Sequence, residues 1–404
     1  MPGFPNIRHM RVFLEAAASG SVSVAADRCA LSQPAATQAI KRLEADFGTD
    51  LLVRRARTIV PTPCGALLEA RAGAALAHLH AGARAAVRGA DKTRTPFDRL
   101  VTAAQLRTLI AVAASGSFTM AASRLGLSQP TVHRAARGLE DAAGVPFFRA
   151  TPWGVELTPA AQAFVLGAKL AQAEIRQAEE EIARELGDER ANIVIGSLPL
   201  ARTAIVPRAT HAMIETTPGV QVRVVDGCYD DLLRSLREGD MDVMIGALRD
   251  PAPAEDIVQE RLFDDALAIV AHPSHPLASR TGLTLDDTLS FPWIAPPKTA
   301  PAGQYLFETL RIHERPETPV RVVSSSLVML RGLLAEGPYV SIISRHQIAV
   351  EERLGLIVPL DIPLSGDRRA IGLTTRAGWR PTLTQARFLD LLRDFARSAV
   401  EDAA

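Results

Sequence analysis

The sequence predicts an α/β protein, with a helical front built from two copies of one small unit and a two-lobed α/β back. Three observations carry this. "SGSVSVAADRCALSQPAATQAIKRLE" at 19–44 and "SGSFTMAASRLGLSQPTVHRAARGLE" at 115–140 align without a gap, 96 positions apart, with 13 of 26 residues identical. From Asn192 onward, short apolar runs rich in β-branched residues alternate with helical stretches, the pattern of a mostly parallel sheet with helices on both sides. The 404 residues are also too many for one ordinary domain.

Each copy reads as three helices and a wing. The shared register reaches "HMRVFLEAAASGS" (9–21) against "QLRTLIAVAASGS" (105–117), and Thr62-Pro63 against Thr158-Pro159, so a whole structural unit is repeated. In the second copy, Leu106, Leu109, Ile110 and Ala113 share one helical face. Ser117 or Thr119 caps the next helix, which turns Ala121, Ala122 and Leu125 inward. Gly126 permits a tight reversal and Leu127 is expected to plug it. Ser128 caps a third helix with Pro130 in its first turn, where a missing N–H costs nothing. That helix buries Val132, Ala136 and Leu139 and stops at Gly144. Two short strands follow around Pro152-Trp153-Gly154. A helix, a short turn and a second helix with an exposed polar face form the helix-turn-helix arrangement, whose second helix fits a DNA major groove.

An alanine-rich helix follows each unit. Phe164, Ala168, Ala171, Ile175, Ala178 and Ile182 make a narrow heptad seam, as expected of a helix that pairs with its counterpart in another subunit. Glu179, Glu180 and Glu181 are expected near its solvent side. The first such helix, 65–90, has smaller residues and several glycines, which predicts weaker pairing. "DKTRTPFD" (91–98) reads as a polar linker.

In the back half, ligands are expected at the carboxyl ends of strands. That selects Ser197, Leu198, Asp226, Gly246, Ala247, Pro296, Ser325 and Ser326. The hydroxyls of Ser197, Ser325 and Ser326, with nearby helix N-terminal N–H groups, suit a carboxylate or a sugar hydroxyl. Arg202 suits an anion and Asp226 a polyol.

A formal net charge of zero conceals an asymmetry. Residues 1–160 hold 19 Lys+Arg against 11 Asp+Glu, and the rest hold 26 against 34, so front and back face different partners. Three widely spaced cysteines without a CxxC fit a reducing cytoplasm better than a disulfide or zinc site. No apolar run reaches the roughly 18–20 residues that cross a bilayer. Glu15 interrupts the apolar start, and its pattern recurs at 106–122, so an export signal is not read there and a cytoplasmic protein is expected. There is no GxSxG, P-loop, HExxH or GxGxxG after a strand. The prolines after His272 and His275 argue for a loop over a metal site. Neither an enzyme nor a cofactor is expected, and an exported solute-binding protein fails on the basic front.

The stretch "AASRLGLSQPTVHRAARGLE…GVPFF…LTPA" resembles the N-terminal pattern of the LysR-type transcriptional regulators, and "HPSHPLA" extends the resemblance over residues 100–404. The effector half, with "SLPLAR", "VVDG" and "IGALRDP", is similar to a galactose-binding-protein-regulator-like subgroup tied to sugar and aromatic-acid catabolic genes. The resemblance implies a winged helix-turn-helix, a dimerisation helix and a two-lobed (type 2) periplasmic-binding-protein-like domain. It implies promoter DNA, a non-covalent small-molecule effector and RNA polymerase as partners, in a homodimer or homotetramer.

By that resemblance, DNA contacts fall on Gln33, Pro34, Thr37, Gln38, Lys41 and Arg42 in the first copy, with Arg54 as the usual wing arginine beside Arg55 and Arg57. In the second copy they fall on Ser128, Gln129, Pro130, His133, Arg134, Arg137 and Arg149, with Ala150 at the wing-arginine place. Family members normally carry one such unit, and this chain has two. Arg134 suits guanine and Gln33 or Gln129 adenine, whereas Lys41, Arg54, Arg55, Arg57 and Arg149 suit phosphate or minor groove. The expected division is 1–65 and 100–160 for the two winged units, 66–99 and 161–187 for their helices and linker, 192–268 with about 358–404 for lobe I, and 269–357 for lobe II.

Overall fold

The computed structural model describes residues 4–88, 97–315 and 319–401. Contacts divide it into two compact units, residues 1–190 with 238–240 and the remainder. Among the described residues no helix is long and apolar enough to cross a membrane.

In the first unit the repeat is visible element by element. α1 (Ile7–Ser19), α2 (Val22–Arg28), α3 (Gln33–Phe47), a hairpin of β1 (Leu52–Arg55) and β2 (Thr58–Pro61), and α4 (Pro63–Ala86) are followed by a second set. That set is α5 (Ala103–Ser115), α6 (Phe118–Leu125), α7 (Gln129–Ala143), the hairpin β3 (Phe148–Thr151) with β4 (Gly154–Leu157), and α8 (Pro159–Glu185). The helix ends are set by the same chemistry twice. Ser21 and Ser117 cap α2 and α6, Ser32 and Ser128 cap α3 and α7, and Thr62 and Thr158 cap α4 and α8. Each side-chain oxygen takes an otherwise unpartnered backbone N–H. Thr119 lies inside α6 and is not its cap. Glu44 and Glu140 each accept the two N–H groups that begin the following strand segment.

One departure between the copies has an energetic consequence. The turn after α2 places Ala30 at φ 52°, where the second copy has Gly126 at φ 64°. The left-handed region costs a residue with a Cβ roughly 1–2 kcal/mol, partly offset because glycine gives the unfolded chain more freedom. Ala30→Gly is therefore expected to stabilise the first unit by about 0.5–1 kcal/mol, read as a rise in urea midpoint at constant slope. A lower midpoint would show that the turn is unstrained. Leu127, expected to plug the second turn, is 46% exposed. The turn is closed instead by the bond from its N–H to the Ala122 carbonyl.

Phe97 and Asp98 do not behave as linker. Phe97 is buried against Phe147 and Phe164, with ring centroids 6.0 and 4.8 Å away. Asp98 accepts a bond from Arg11 at 2.9 Å and lies 3.4 Å from His80. The rest of the expected linker, 91–96, falls outside the described residues. A single core joins α1, α4, α5 and α8, with Phe13, Leu68, Leu79, Leu106, Leu109 and Phe164 fully enclosed.

The seam of α8 is covered by α4 of the same chain, not by a free surface awaiting another subunit. Nor is Glu181 on the solvent side, because it bonds the buried Arg71 of α4. The glycines of α4 do not weaken this contact. Gly82 permits it, since a Cβ there would lie 3.2 Å from the Gly167 Cα.

The second unit contains two five-stranded sheets. The first is ordered β6 (Val220–Val225), β5 (Ala191–Ser197), β7 (Val243–Ala247), β14 (Arg369–Arg376), β8 (Ile257–Asp265). The second is ordered β11 (Val320–Val323), β10 (Trp293–Ala295), β12 (Val340–Ser344), β9 (Leu267–Ala271), β13 (Val358–Pro359). In each, two neighbouring pairs are parallel and two antiparallel, so the sheets are mixed and not mostly parallel. Strands that arrive after a lobe crossing enter against the others.

Side chains alternate between two cores in each lobe, as period-two strands require. Ile193 and Ile195 face α9 (Ile205–Thr216) and α14 (Leu383–Glu401), while Val194 faces α10 (Tyr229–Arg237). In the second lobe Trp293 packs on one side, near α11 (Pro301–Gln304). Ile294 packs on the other, against α12 (Leu327–Glu336). A short helix α13 (Ala349–Arg353) precedes β13. Because β13 joins the second sheet and Leu360 lies in its core, the return crossing falls between 360 and 369, later than the expected 358.

Candidate nucleic-acid interface and effector cleft

α3 and α7 are each pinned on one side and open on the other. Ala36, Ala39, Ile40 and Leu43 bury the inner face of α3, and Val132, Ala136, Leu139 and Ala143 that of α7. The opposite face of α3 exposes Gln33, Pro34, Thr37, Gln38, Lys41 and Arg42. That of α7 exposes Ser128, Gln129, Pro130, Arg134 and Arg137. A surface of amides, hydroxyls and cations on a helix with an anchored apolar side is equipped to meet base edges and phosphates.

The structure separates two residues from this set. His133 is half-buried and its ring lies 4.1 Å from that of Phe118, which ties it to α6. Arg149 is paired with Glu156 across the second wing at 3.0 Å. Both partners are exposed, so the pair is weak and a phosphate can displace the carboxylate. Arg54, Arg55 and Arg57 of the first wing are exposed and have no carboxylate partner among the described residues. The position equivalent to Arg57 is Trp153, which is 95% exposed at the tip of the second wing. Sequence reading treated this indole only as part of a turn. An aromatic flanked by Pro152 and Gly154 was the available signal.

Between the lobes of the second unit is a cleft of ≈ 370 Å³. Leu198, Arg202, Ala247, Pro296, Ser325 and Ser326 line it as the sequence suggested. Three expected residues do not. Ser197 is fully buried and its hydroxyl points to the Leu198 carbonyl. Gly246 lies beneath Leu198, where a Cβ would meet that side chain at 2.4 Å. Asp226 sits outside and pairs with Arg202 at 2.9 Å. Strand-end position was readable from sequence, but which way each side chain points was not.

Residues missed by sequence supply most of the polarity of the cleft. Arg249 stacks over the Tyr229 ring at 4.6 Å and has no carboxylate partner among the described residues. Arg369 is held by buried Asp265 through two bonds of 3.1 and 3.0 Å. Ser344, Gln347 and Thr299 add hydrogen-bonding groups. Ser326 caps α12, accepting the Met329 N–H, and Ser324 accepts that of Ser326. The positive end of α12 thus faces the same space. Leu198, Leu200, Leu330, Ile343 and Ile371 form apolar walls. Of the three lining arginines, Arg202 is held by Asp226 and Arg369 by Asp265, so Arg249, without a carboxylate partner among the described residues, is the one that favours an anion with an apolar body.

Among the described residues no group of three or more His, Cys, Asp or Glu is arranged to hold a metal ion. His272 bonds Ser274 at 2.7 Å, and His275 is buried against Phe291.

Comparisons with known proteins match both halves. Residues 187–397 match the family described as LysR substrate binding domain. The bacterial regulatory helix-turn-helix protein family of lysR type matches twice, at 7–66 and 103–162. The chain is 32% identical over 374 residues to the HTH-type transcriptional regulator GalR of Pseudomonas putida, covering 93% of each chain. It is 27% identical over 300 residues to the HTH-type transcriptional regulator PcaQ of Agrobacterium fabrum, covering 74% of this chain and 96% of that one. The fold is similar to that of a full-length OxyR variant from Pseudomonas aeruginosa, with a TM-score of 0.53 and 24% identity over 73% of this chain and 94% of that one.

Proposed function

The chain belongs to the bacterial LysR-type regulators, and from that premise we propose that it is a cytoplasmic, homo-oligomeric, sequence-specific DNA-binding regulator controlled by a small organic acid. The single observation that carries this reading is the repeated helix-turn-helix with its polar face open in both copies. An enzymatic or solute-binding α/β domain with an accessory DNA-binding segment is the alternative, and the named relatives, all regulators, speak against it.

The test is retardation of promoter DNA by the full chain. Affinity is expected to fall by roughly 10³-fold or more between 50 and 200 mM salt, as for about six or more neutralised phosphates. No retardation at low salt overturns the reading. Arg134→Ala is expected to cost about 1–3 kcal/mol of preference at one base pair. Replacing Arg55 and Arg57 with alanine should weaken all sequences alike. Unchanged base preference in Arg134→Ala would remove α7 as a base reader.

For the cleft, the guanidinium of Arg249, stacked on Tyr229 and without a carboxylate partner among the described residues, is the main support for an anionic effector. Calorimetry with a panel of sugars and aromatic or aliphatic acids checks this. Acids are expected to bind and Arg249→Ala to weaken them, and binding of neutral sugars alone would reverse the assignment. Closure of the lobes on the effector is the coupling step, because a ligand moves an equilibrium only through different affinities for its two states.

A further inference from the structure

The contact between α4 and α8 carries an inference that rests on the DNA-binding reading and goes beyond it. The two helices run antiparallel. Arg71 of α4 bonds Glu174, Gln177 and Glu181 of α8, whereas Gly82, further along α4, lies against Ala163 and Gly167, earlier in α8. Moving by 96 positions exchanges one unit for the other. Under that exchange the pair Arg71–Glu174 becomes Gly167–His78, and these also meet, since a Cβ on Gly167 would lie 2.5 Å from the His78 carbonyl oxygen. The buried stripes coincide too. Leu68, Ala72, Ala75, Leu79 and Ala86 of α4 correspond to Phe164, Ala168, Ala171, Ile175 and Ile182 of α8, and all ten are buried. Contacts that survive such an exchange mark an approximate two-fold axis between the two helix-turn-helix copies. The same element pairs touch inside each unit, α1 with α3 and α4, α5 with α7 and α8, so the axis relates α3 to α7 as well.

The seam is also unlike on its two sides. If α4 met a second α4, Arg71 would face His78, Ala81 and Ala85, the equivalents of its three partners. If α8 met a second α8, Glu174, Gln177 and Glu181 would face Gly167 in place of an arginine. A buried ion without its counter-charge costs several kcal/mol, so each like pairing is penalised and the mixed one is selected. Phe97 and Asp98 then tie the entry to the second helix-turn-helix copy onto the first copy through Arg11 and His80.

We propose that a single chain holds a complete pair of unlike DNA readers, locked across this seam by Arg71, and that they read two unlike half-sites in inverted orientation on one duplex. The readers share Gln33/Gln129 and Pro34/Pro130 but differ at Gln38/Arg134, Lys41/Arg137 and Arg42/Gly138. The half-sites accordingly share part of their sequence. They differ where Gln38 favours adenine and Arg134 favours guanine.

Two measurements on the full chain test this. In the first, an operator selected from random duplexes is compared with two inverted repeats, each built from one of its halves. Both repeats are expected to bind at least tenfold more weakly than the selected operator. The double variant Gln38→Arg, Lys41→Arg, at exposed positions, should shift preference to the repeat of the half read by α7. A palindromic operator, or a repeat that binds as well as the operator, overturns the proposal while leaving DNA binding intact. Retardation of no duplex overturns DNA binding itself. In the second, Leu76→Cys and Gln172→Cys, placed near the two-fold axis, are joined by a short bis-maleimide in an equal mixture of ¹⁴N and ¹⁵N chains. Cross-linked 76–172 peptides of unmixed mass are expected. Mixed-mass peptides, 76–76 or 172–172 links, or absence of the 76–172 link overturn the single-chain pair.

Discussion

Arg71→Ala is expected to destabilise the first unit by about 3–5 kcal/mol, the usual cost of stranding one side of a buried ion network. Arg71 is 2% exposed and its guanidinium makes bonds of 2.7–3.1 Å to Glu174, Gln177 and Glu181. Burial alone would lower its pKa, yet the bonds to Glu181 and Glu174 outweigh that and raise it. Removing it leaves Glu174 and Gln177 enclosed between helices without a cation. Hydrogen exchange of the α4 and α8 amides is the appropriate readout, since it reports this unit separately from the rest of the chain. Protection there should drop by two orders of magnitude or more while β5 and β14 are unchanged. Replacing the three charged members of the network by apolar residues, Arg71→Met with Glu174→Leu and Glu181→Leu, should recover most of the loss. A loss below 1 kcal/mol in Arg71→Ala would mean that water reaches the carboxylates, and the seam would then have no means of rejecting like pairing.

Asp265→Ala should have a comparable effect on the second unit, again about 3–5 kcal/mol. Asp265 is fully buried where the chain first crosses between lobes. It accepts the Ser344 hydroxyl at 2.7 Å from the second lobe and two bonds from Arg369 in the first. One carboxylate therefore joins both lobes and neutralises an arginine that lines the cleft. Asp265→Asn keeps an acceptor but loses the charge, so it should cost less. It should also leave Arg369 uncompensated beside the ligand and strengthen binding of an acid. Denaturant titration with calorimetry on the same variants checks both. Equal stability of wild type and Asp265→Ala would show that Arg369 finds another partner. Unchanged acid affinity in Asp265→Asn would place the bound anion away from Arg369.

Much of the front half was legible before any coordinates, and α7 shows why. Its cap Ser128, first-turn Pro130, inner Val132, Ala136 and Leu139, and terminal Gly144 are local signals whose physics acts within a few residues. The repeat then made every such reading twice. The same locality explains the exposed Arg134 and Lys41, since a helix with one anchored face must present the other. Strand ends in the back half were also readable, and they led to Ser325, Ser326 and Leu198. Arg249, Arg369 and Asp265 were not found, because Arg369 lies more than 100 positions from the other two and nothing local marks them as neighbours.

By itself, then, the sequence determined the two helix-turn-helix units, their caps and polar faces, and the alternation of strands and helices in the back, but not the mixed direction of its strands. Only the tertiary structure decided what covers the seam of α8. Heptad spacing states that an apolar stripe needs a partner, but the stripe of α4 is the same stripe 96 residues earlier, and spacing cannot choose between it and another chain. The choice lies in Arg71 meeting Glu174 and Glu181 more than 100 residues away, and in glycine at 82 and 167 letting the backbones approach. Complementarity of charge and volume between distant residues exists only once they are packed together.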